Sequence, residues 1–378
     1  TITNDWVGEH PGDNFFGPGG LLFYDSFVTL SVHSSAGHDT INVQSTDPLT
    51  ATTVHGGLGD DLVQIDSDGA DTTSGTANEI VSPLTIDGDD GVDTAVVEDA
   101  GDPAMNVATL TDTQLGASPG DALFGGGGSL AYFGFSELVV WAAAGGNLFR
   151  IHGTQTGSPT TLHGGPGSDS FSIDSNDGLP GGSVDGVRSQ LTLHGGPGAA
   201  NSLLLNDMND ATGDQFAITA TTIGAQAGDS LFGSQGSVTY TELSALTIQG
   251  GSGGNHIEIR STGAPTTLVA GLNADTLWLD SNGAAPGGTV DGLHHPLTLS
   301  GGGGLDQLLV DNASDPVADA VTITSNTVGV GAGDAFFPAG GGLTYADWVT
   351  LVVSTSAAAD TVSIDSTSIA MAVAAISG

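Results

Sequence analysis

The acidic side chains and the histidines are the groups in this sequence that could do chemistry. The 378 residues include 43 Asp and Glu and ten His. Glycoside hydrolysis needs two carboxylates about 5 to 9.5 Å apart in a cleft, and a chain so rich in acids will contain such pairs by chance. His294 and His295 lack a third ligand, so they support zinc only weakly. His55, His163 and His194 precede Gly-rich corners, where side-chain packing is the expected role. We predict no catalytic residues and no enzymatic activity.

The charge balance excludes several functional classes. Three Arg and no Lys oppose the acids, which gives a formal net charge of −40, so we predict no nucleic-acid partner because phosphates would be repelled. The lack of Cys excludes thiol catalysis, and the lack of Lys excludes Schiff-base chemistry. No stretch approaches the roughly 18 apolar residues of a membrane-spanning helix, which predicts no membrane insertion. Hydrophobic residues make up 38% of the chain, which is enough for a folded core.

The sequence contains an internal repeat. Gly-Asp pairs and tyrosines recur in step, with pairs starting at Gly12, Gly120, Gly228 and Gly333 and tyrosines at Tyr24, Tyr132, Tyr240 and Tyr345. The steps are 108, 108 and 105 residues. They predict one continuous array, with residues 1–46 as a partial unit, 47–154, 155–262 and 263–367 as three full units, and 368–378 as an apolar terminal strand. No unit carries the large unique insertion in which a repeat enzyme places its active site.

Within each unit, an Asp or Asn is followed by apolar residues two and four positions later. These positions are the anchors: Asp39, Asp61, Asp93, Asn147, Asp169, Asn201, Asn255, Asp275, Asp306 and Asp360. The alternation predicts that each anchor begins a strand with one buried face. A second alternating strand lies upstream, and a Gly-rich corner separates the two.

A module of strand, corner and strand predicts the fold class. When this module repeats at roughly 20 to 35 residues per coil, it predicts an all-β, right-handed parallel β-solenoid, built from units of about 108 residues. The anchors would then stack in continuous columns. The 54-residue steps between some anchors would hold two coils, with extra strands at 107–110, 218–222 and 321–324. Tandem β-sandwich domains are the alternative.

Three Gly-rich corners carry a known motif. Residues 56–63, 164–171 and 301–308 each read Gly-Gly-x-Gly-x-Asp-x-apolar. This motif resembles the RTX, or haemolysin-type, calcium-binding nonapeptide of secreted bacterial proteins. Residues 132–147 are similar to the β-strand repeats of very large bacterial surface proteins. RTX motifs normally run in uninterrupted tandem, whereas here successive anchors are 20 to 54 residues apart.

The resemblance implies calcium at the corners, with Asp61, Asp93, Asp169 and Asp306 as candidate ligands. A hard cation with oxygen ligands would offset the repulsion between carboxylates stacked on neighbouring coils. In the alternative interpretation, each Asp or Asn caps a turn by bonding its own backbone, while Gly supplies positive φ. Acids five positions after the anchors are expected to form a solvated stripe: Asp66, Glu98, Asp174, Asp280, Asp311 and Asp365.

These features predict a secreted, non-enzymatic structural protein of a bacterial surface, a subunit or segment of a filament or adhesin. The apolar tail alternates Ile369, Met371 and Val373, which reads as a strand with an uncovered edge. We therefore expect the chain to stack head to tail on itself or to belong to a longer parent chain. A polysaccharide or another cell-surface ligand is a further candidate partner. The alternative function is a calcium-binding RTX-type module of a larger secreted effector or polysaccharide-active protein.

Overall fold

The computed structural model describes residues 1–17, 19–69, 74–177, 179, 181–198, 200–368 and 371–377. Their regular secondary structure consists of β-strands. No helix in this part of the chain is long and apolar enough to cross a membrane. The chain folds into two compact units. The first comprises residues 1–172 with 186–201, and the second comprises residues 173–185 with 202–378.

The chain contains 32 described strands. The first sixteen are β1 (Trp6–Val7), β2 (Leu22–Phe23), β3 (Thr29–His33), β4 (Thr40–Val43), β5 (Ala51–His55), β6 (Leu62–Ile65), β7 (Pro83–Asp87), β8 (Thr94–Glu98), β9 (Val107–Leu110), β10 (Gln114–Leu115), β11 (Ser129–Phe133), β12 (Glu137–Trp141), β13 (Leu148–Ile151), β14 (Thr160–His163), β15 (Ser170–Ile173) and β16 (Gln190–His194). The others are β17 (Ser202–Asn206), β18 (Gln215–Ile218), β19 (Thr222–Ile223), β20 (Ser237–Thr241), β21 (Ala245–Gln249), β22 (His256–Ile259), β23 (Thr266–Leu272), β24 (Thr276–Leu279), β25 (Pro296–Gly303), β26 (Gln307–Asp311), β27 (Ala320–Ile323), β28 (Thr327–Val328), β29 (Gly342–Ala346), β30 (Thr350–Thr355), β31 (Thr361–Ile364) and β32 (Ala372–Ser377).

In the first unit, successive coils contribute strands alternately to two sheets. One sheet runs β3-β5-β7-β11-β10-β9-β13-β15, and the other runs β4-β6-β8-β12-β14-β16. Coils pair in parallel and in register, as Val54 does with Ile86 and Val63 with Ala95. Because register is kept, every second side chain along a strand joins an aliphatic column, and these four side chains are fully buried. Burying each large aliphatic side chain contributes roughly 1.5–3 kcal/mol.

The second unit repeats this architecture. Its sheets run β17-β21-β23-β25-β29-β28-β27-β31 and β20-β19-β18-β22-β24-β26-β30-β32. Ile248 pairs in parallel with Leu268, and Leu277 pairs with Leu308. The predicted all-β parallel solenoid is therefore confirmed. The alternative of tandem sandwiches is wrong, because sandwiches are built from antiparallel sheets.

The 54-residue steps fold differently from the prediction of two parallel coils. In the first unit β10 lies between β9 and β11 and pairs antiparallel with both, through Leu115 with Leu110 and Gln114 with Ala131. The same antiparallel meander recurs as β18-β19-β20 and β27-β28-β29. The expected strand at 107–110 is β9, that at 321–324 overlaps β27, and that at 218–222 falls on the turn between β18 and β19.

The meander changes the sheet in which each Gly-rich corner begins. Before it, the corner at 88–93 leads from β7 in the first sheet to β8 in the second. After it, the corner at 142–147 leads from β12 in the second sheet to β13 in the first. The four repeated tyrosines all lie beside a meander or the equivalent turn and are buried. Tyr132, for example, donates its hydroxyl hydrogen to Thr111 O at 2.6 Å.

The terminal strand is present. β32 pairs in parallel with β30, through Val373 with Leu351 and Ala375 with Val353. Ile369, the first residue of the predicted apolar alternation, lies outside the described residues. No described strand pairs with the other edge of β32.

Candidate functional site

Anchors on neighbouring coils are joined by side-chain-to-backbone hydrogen bonds. Asp61 Oδ1 accepts the backbone N–H of Asp39 at 2.8 Å, and Asp93 Oδ1 accepts that of Asp61 at 2.7 Å. Each anchor thus holds the backbone of the coil before it. We call such a series an anchor ladder. The predicted stacking of Asp39, Asp61 and Asp93 is correct. The expectation that each anchor side chain forms a hydrogen bond with the backbone of its own turn is incomplete, because Oδ1 accepts a backbone N–H of the neighbouring coil.

The anchors form several short ladders and not one continuous column. The described ladders are Asp39-Asp61-Asp93, Asn106-Asn147-Asp169-Asn201, Asp214-Asn255-Asp275-Asp306 and Asp319-Asp360. The first ladder ends where Ser136, just before β12, donates its backbone N–H to Asp93 O at 2.9 Å. The prediction of continuous columns is therefore wrong. The physical reason is the meander, because the Gly-rich corner before it runs from the first sheet to the second and the corner after it runs from the second sheet to the first.

The four predicted calcium ligands lie in three different ladders. Asp61 and Asp93 are neighbours in the first ladder. Asp169 lies between two asparagines in the second, and Asp306 follows Asp275 in the third. The structure therefore brings only Asp61 and Asp93 of the predicted set together.

The first glycine of each corner makes room for the second oxygen of the anchor. A Cβ at Gly56 would lie 2.8 Å from Asp61 Oδ2 and 2.7 Å from Gly88 O of the next coil. A Cβ at Gly88 would lie 2.7 Å from Asp93 Oδ2 and 2.9 Å from Gly134 O. Each corner thus holds a small space lined by a carboxylate oxygen and a backbone carbonyl oxygen, which explains the Gly in the motif.

Asparagine and aspartate anchors differ in how they use this space. Asn147 donates its Nδ2 hydrogen to Gly164 O at 2.9 Å, and Asn255 donates to Ala270 O at 2.8 Å. An ionised Asp has no hydrogen to donate, so its Oδ2 faces another acceptor. The Oδ2 atoms of the Asp anchors Asp61, Asp93, Asp169, Asp275 and Asp306 are buried without a hydrogen-bond partner.

Burial changes the acidity of these anchors. It raises the pKa of Asp169 and of Asp275 to about 6, and it also raises the pKa values of Asp93 and Asp306. A carboxyl group in this position is satisfied either by a proton, which would let Oδ2 donate to the facing carbonyl, or by a cation between the two oxygens.

The oxygens at the corners match calcium in type. Carboxylate and carbonyl oxygens are the donors that calcium takes, and it takes six to eight of them; the closest contacts at Gly56 and at Gly88 supply one of each kind. Two groups of three acid or His side chains that could hold a metal ion lie among the described residues. Neither group includes Asp61, Asp93, Asp169 or Asp306. The donor chemistry fits a hard cation, and calcium at these four residues stays a prediction.

The acids five positions after the anchors do not form a solvated stripe. Asp66, Glu98, Asp174 and Asp280 are at most 1% exposed, whereas Asp365 is exposed. The outward prediction is wrong for the first four. For Asp66, Asp174 and Asp280 the strand ends one residue earlier and the alternation of faces stops there, whereas Glu98 is the last residue of β8 and is buried together with Val97. Asp66 Oδ1 accepts the backbone N–H groups of Asp68, at 2.7 Å, and of Gly69. The sequence feature that could have indicated this role is Asp66-Ser67 at the start of a turn that contains Gly69.

The histidines before the corners stack along the outside of the coils. The ring centroids of His33 and His55 lie 4.2 Å apart. The ring of His163 stacks between those of Trp141 and His194, with centroid distances of 3.6 and 4.7 Å. Burial and the neighbouring His194 lower the pKa of His163 to about 4, so this ring is neutral at neutral pH. The expected packing role agrees with this geometry.

A cluster of three acids was missed by the sequence reasoning. Asp207, Asp210 and Asp214 each place a carboxylate oxygen within 4.8 Å of the others. They lie in the loop between β17 and β18, and Asp214 is also the first anchor of its ladder. The signal that could have found them is the repeat itself, because acids or amides recur at these positions in the other units. His55, Asp87 and Asp89 form a second, more exposed group.

Comparison with known proteins gives no family for this chain. A scan against protein-family models produced no match, and a search of curated proteins found no significant relative.

Proposed function

We propose that this chain is a secreted, non-enzymatic structural module of a bacterial surface filament or adhesin. The observation that carries the proposal is the in-register parallel stacking inside each unit. Along each anchor ladder, a coil is joined to the next by strand hydrogen bonds, a shared aliphatic column and the anchor side chain. Three kinds of interaction acting between the same coils favour a stiff stack that resists local opening and proteolysis.

The use of the acids supports a structural role over an enzymatic one. The buried carboxylates of Asp61 and Asp93 accept backbone N–H groups in the ladder, and that of Asp66 caps a turn. Carboxylates that are buried and hold the backbone in this way are out of reach of a substrate, and a general acid or base must lie within hydrogen-bond reach of it.

Assembly through strand edges is the second element of the proposal. β32 leaves one edge unpaired among the described residues, and an unpaired edge offers N–H and C=O groups to another strand. A further parallel coil could come from a second copy of the chain or from a longer parent chain. Either source extends the same ladder pattern.

Electron microscopy of the purified protein tests this proposal. We expect end-to-end fibres that lengthen with protein concentration, and we expect no sugar release from bacterial or plant polysaccharides. A variant with Pro in place of Val373 removes an N–H from β32 and should shorten the fibres, whereas Pro in place of the exposed loop residue Ala117 should not. Catalytic turnover would contradict the proposal, and monodisperse single particles at all concentrations would contradict assembly from separate copies of the chain.

A calcium-binding module is the second candidate function. The buried Oδ2 atoms without partners at Asp61, Asp93, Asp169 and Asp306 favour it. If this function is correct, chelation should unfold the coils and calcium should refold them. A circular dichroism spectrum unchanged by chelator at neutral pH would reject it.

A further inference from the structure

The acid cluster missed by the sequence reasoning occupies a repeated position. Asp207, Asp210 and Asp214 correspond to Asp99, Asp102 and Asn106 one unit earlier, and to Asn312, Asp315 and Asp319 one unit later, at the same steps of 108 and 105 residues. Each set follows a strand and ends at the first anchor of a ladder. One of the three sites thus holds three carboxylates, while each of the other two holds two carboxylates and one amide.

In the two mixed sites the amide joins the carboxylates. Asn106 donates its Nδ2 hydrogen to Asp99 Oδ2. Asn312 donates to Asp315 Oδ2 at 3.2 Å and to Asp319 Oδ2 at 3.0 Å. The amide therefore supplies the hydrogens that two facing carboxylates lack. Without it, oxygen would face oxygen.

The all-acid site has no such donor. Asp207 Oδ1 accepts the N–H of Val184 at 3.0 Å, and Asp214 Oδ1 accepts the Ser230 hydroxyl at 3.2 Å. The oxygens that remain, Asp207 Oδ2 and Asp214 Oδ2, are buried without a hydrogen-bond partner. The two side chains are 1% and 5% exposed. The cluster therefore contains two buried acceptor oxygens without a hydrogen-bond donor.

The charges around the cluster are negative. From the described residues, the Asp210 oxygens accept the N–H and the hydroxyl of Thr212, at 2.9 and 2.6 Å, and each oxygen retains a lone pair. The charges that act on Asp207 are those of Asp214, Asp210 and Asp185. Burial is the largest cause, and together with these charges it raises the pKa of Asp207 to about 8. Burial and the charges of Asp210 and Asp185 raise the pKa of Asp214 to about 6.

We propose that Asp207, Asp210 and Asp214 bind one hard divalent cation, which takes the place that the amide holds in the other two sites. Three carboxylates supply oxygen ligands of the kind that calcium and magnesium take. The cation would fix the loop between β17 and β18 and the start of the third ladder. The site is separate from the Gly-rich corners, and the proposal does not depend on filament formation.

Calorimetric titration of the full chain with calcium chloride, and separately with magnesium chloride, tests the proposal. At pH 8 we expect one saturable site above the weak binding of surface acids. Asp207→Asn and Asp214→Asn each copy a natural arrangement of another unit, so both variants should fold. Each should weaken the strong site at least tenfold. Asp185→Asn, which removes a nearby charge outside the cluster, should change its affinity much less.

The reverse substitutions provide an independent test. Asn312→Asp and Asn106→Asp convert the mixed sites into all-acid sites, and each should add one further strong site per chain. Loss of the strong site in the first pair of variants, or its gain in the second, supports the proposal. A wild-type chain without a saturable site, or a strong site retained in both Asp207→Asn and Asp214→Asn, overturns it and leaves a proton shared between Asp207 and Asp214 as the explanation.

Discussion

The first and second anchor ladders use the same backbone geometry with different side chains. The first consists of Asp39, Asp61 and Asp93, whereas three of the four anchors in the second are Asn. In both ladders Oδ1 accepts an N–H from the previous coil. They differ in the other branch, where the amide of Asn147 donates to Gly164 O but Oδ2 of Asp61 or Asp93 has no partner. Asn therefore completes the corner by itself, whereas Asp needs a proton or a cation.

The strongest consequence of this difference concerns the pH dependence of stability. The pKa values of Asp169 and Asp275 are raised to about 6, that of Asp99 to about 7 and that of Asp207 to about 8, with burial as the main cause in each. A carboxyl group whose pKa is higher in the folded than in the unfolded protein stabilises the folded state. This contribution is complete below the unfolded pKa, near pH 4, and is lost as the pH rises through the folded pKa values of 6 to 8. A folded pKa that lies one pH unit above the unfolded pKa contributes about 1.4 kcal/mol.

Thermal unfolding in chelator at several pH values measures this dependence. We expect Tm to rise by about 5 °C or more between pH 8 and pH 4.5, since together the groups contribute several kcal/mol. Self-repulsion of the net negative charge acts in the same direction. A Tm that is constant or falls on acidification would show that the carboxyl groups are already satisfied at neutral pH.

The second prediction concerns the glycine that makes room for Oδ2. Gly56→Ala places a Cβ against Asp61 Oδ2 and the fixed carbonyl of Gly88, so it should cost about 1–3 kcal/mol of unfolding free energy. Gly37→Ala is the matched control, because a Cβ there meets no atom within 4 Å. Denaturant titration of both variants gives the difference. Equal stabilities would mean that the corner can open without cost.

The third prediction exchanges the two kinds of anchor. Asp93→Asn keeps the acceptor for Asp61 N–H and adds a donor toward Gly134 O, so at pH 8 in chelator it should stabilise the chain by about 1 kcal/mol. Asp93→Ala leaves the Asp61 N–H without its acceptor and should destabilise it by about 1–3 kcal/mol. Denaturant titration of both variants measures the two effects. If Asn proved as damaging as Ala, the ionised carboxylate itself would be required.

Much of the fold could be predicted from the sequence, because burial on one face imposes alternation. The alternation of apolar residues after Asp61 predicted the position of β6, and the alternation after Asp306 predicted that of β26. The meander was missed because β10 is two residues long, which is too short for a periodic signal. Its pairing depends on β11, which begins fourteen residues further on.

The candidate sites were predictable only in part. Stacking of Asp61 over Asp39 follows from the repeat, but burial of Asp66 and Asp280 depends on where the strand ends, which alternation alone does not give. The cluster at Asp207, Asp210 and Asp214 depends on a loop that folds three acids together. Alignment of the units against one another would have shown its positions, since amides replace one acid in each of the other two.

The end of the first ladder at Ser136 has a consequence for how such a chain can lengthen by duplication. Because the meander starts a new ladder, each described ladder joins two to four anchors. Adding another whole unit would therefore begin a new ladder and would not lengthen an existing one, so the run of stacked carboxylates would not grow with the number of units.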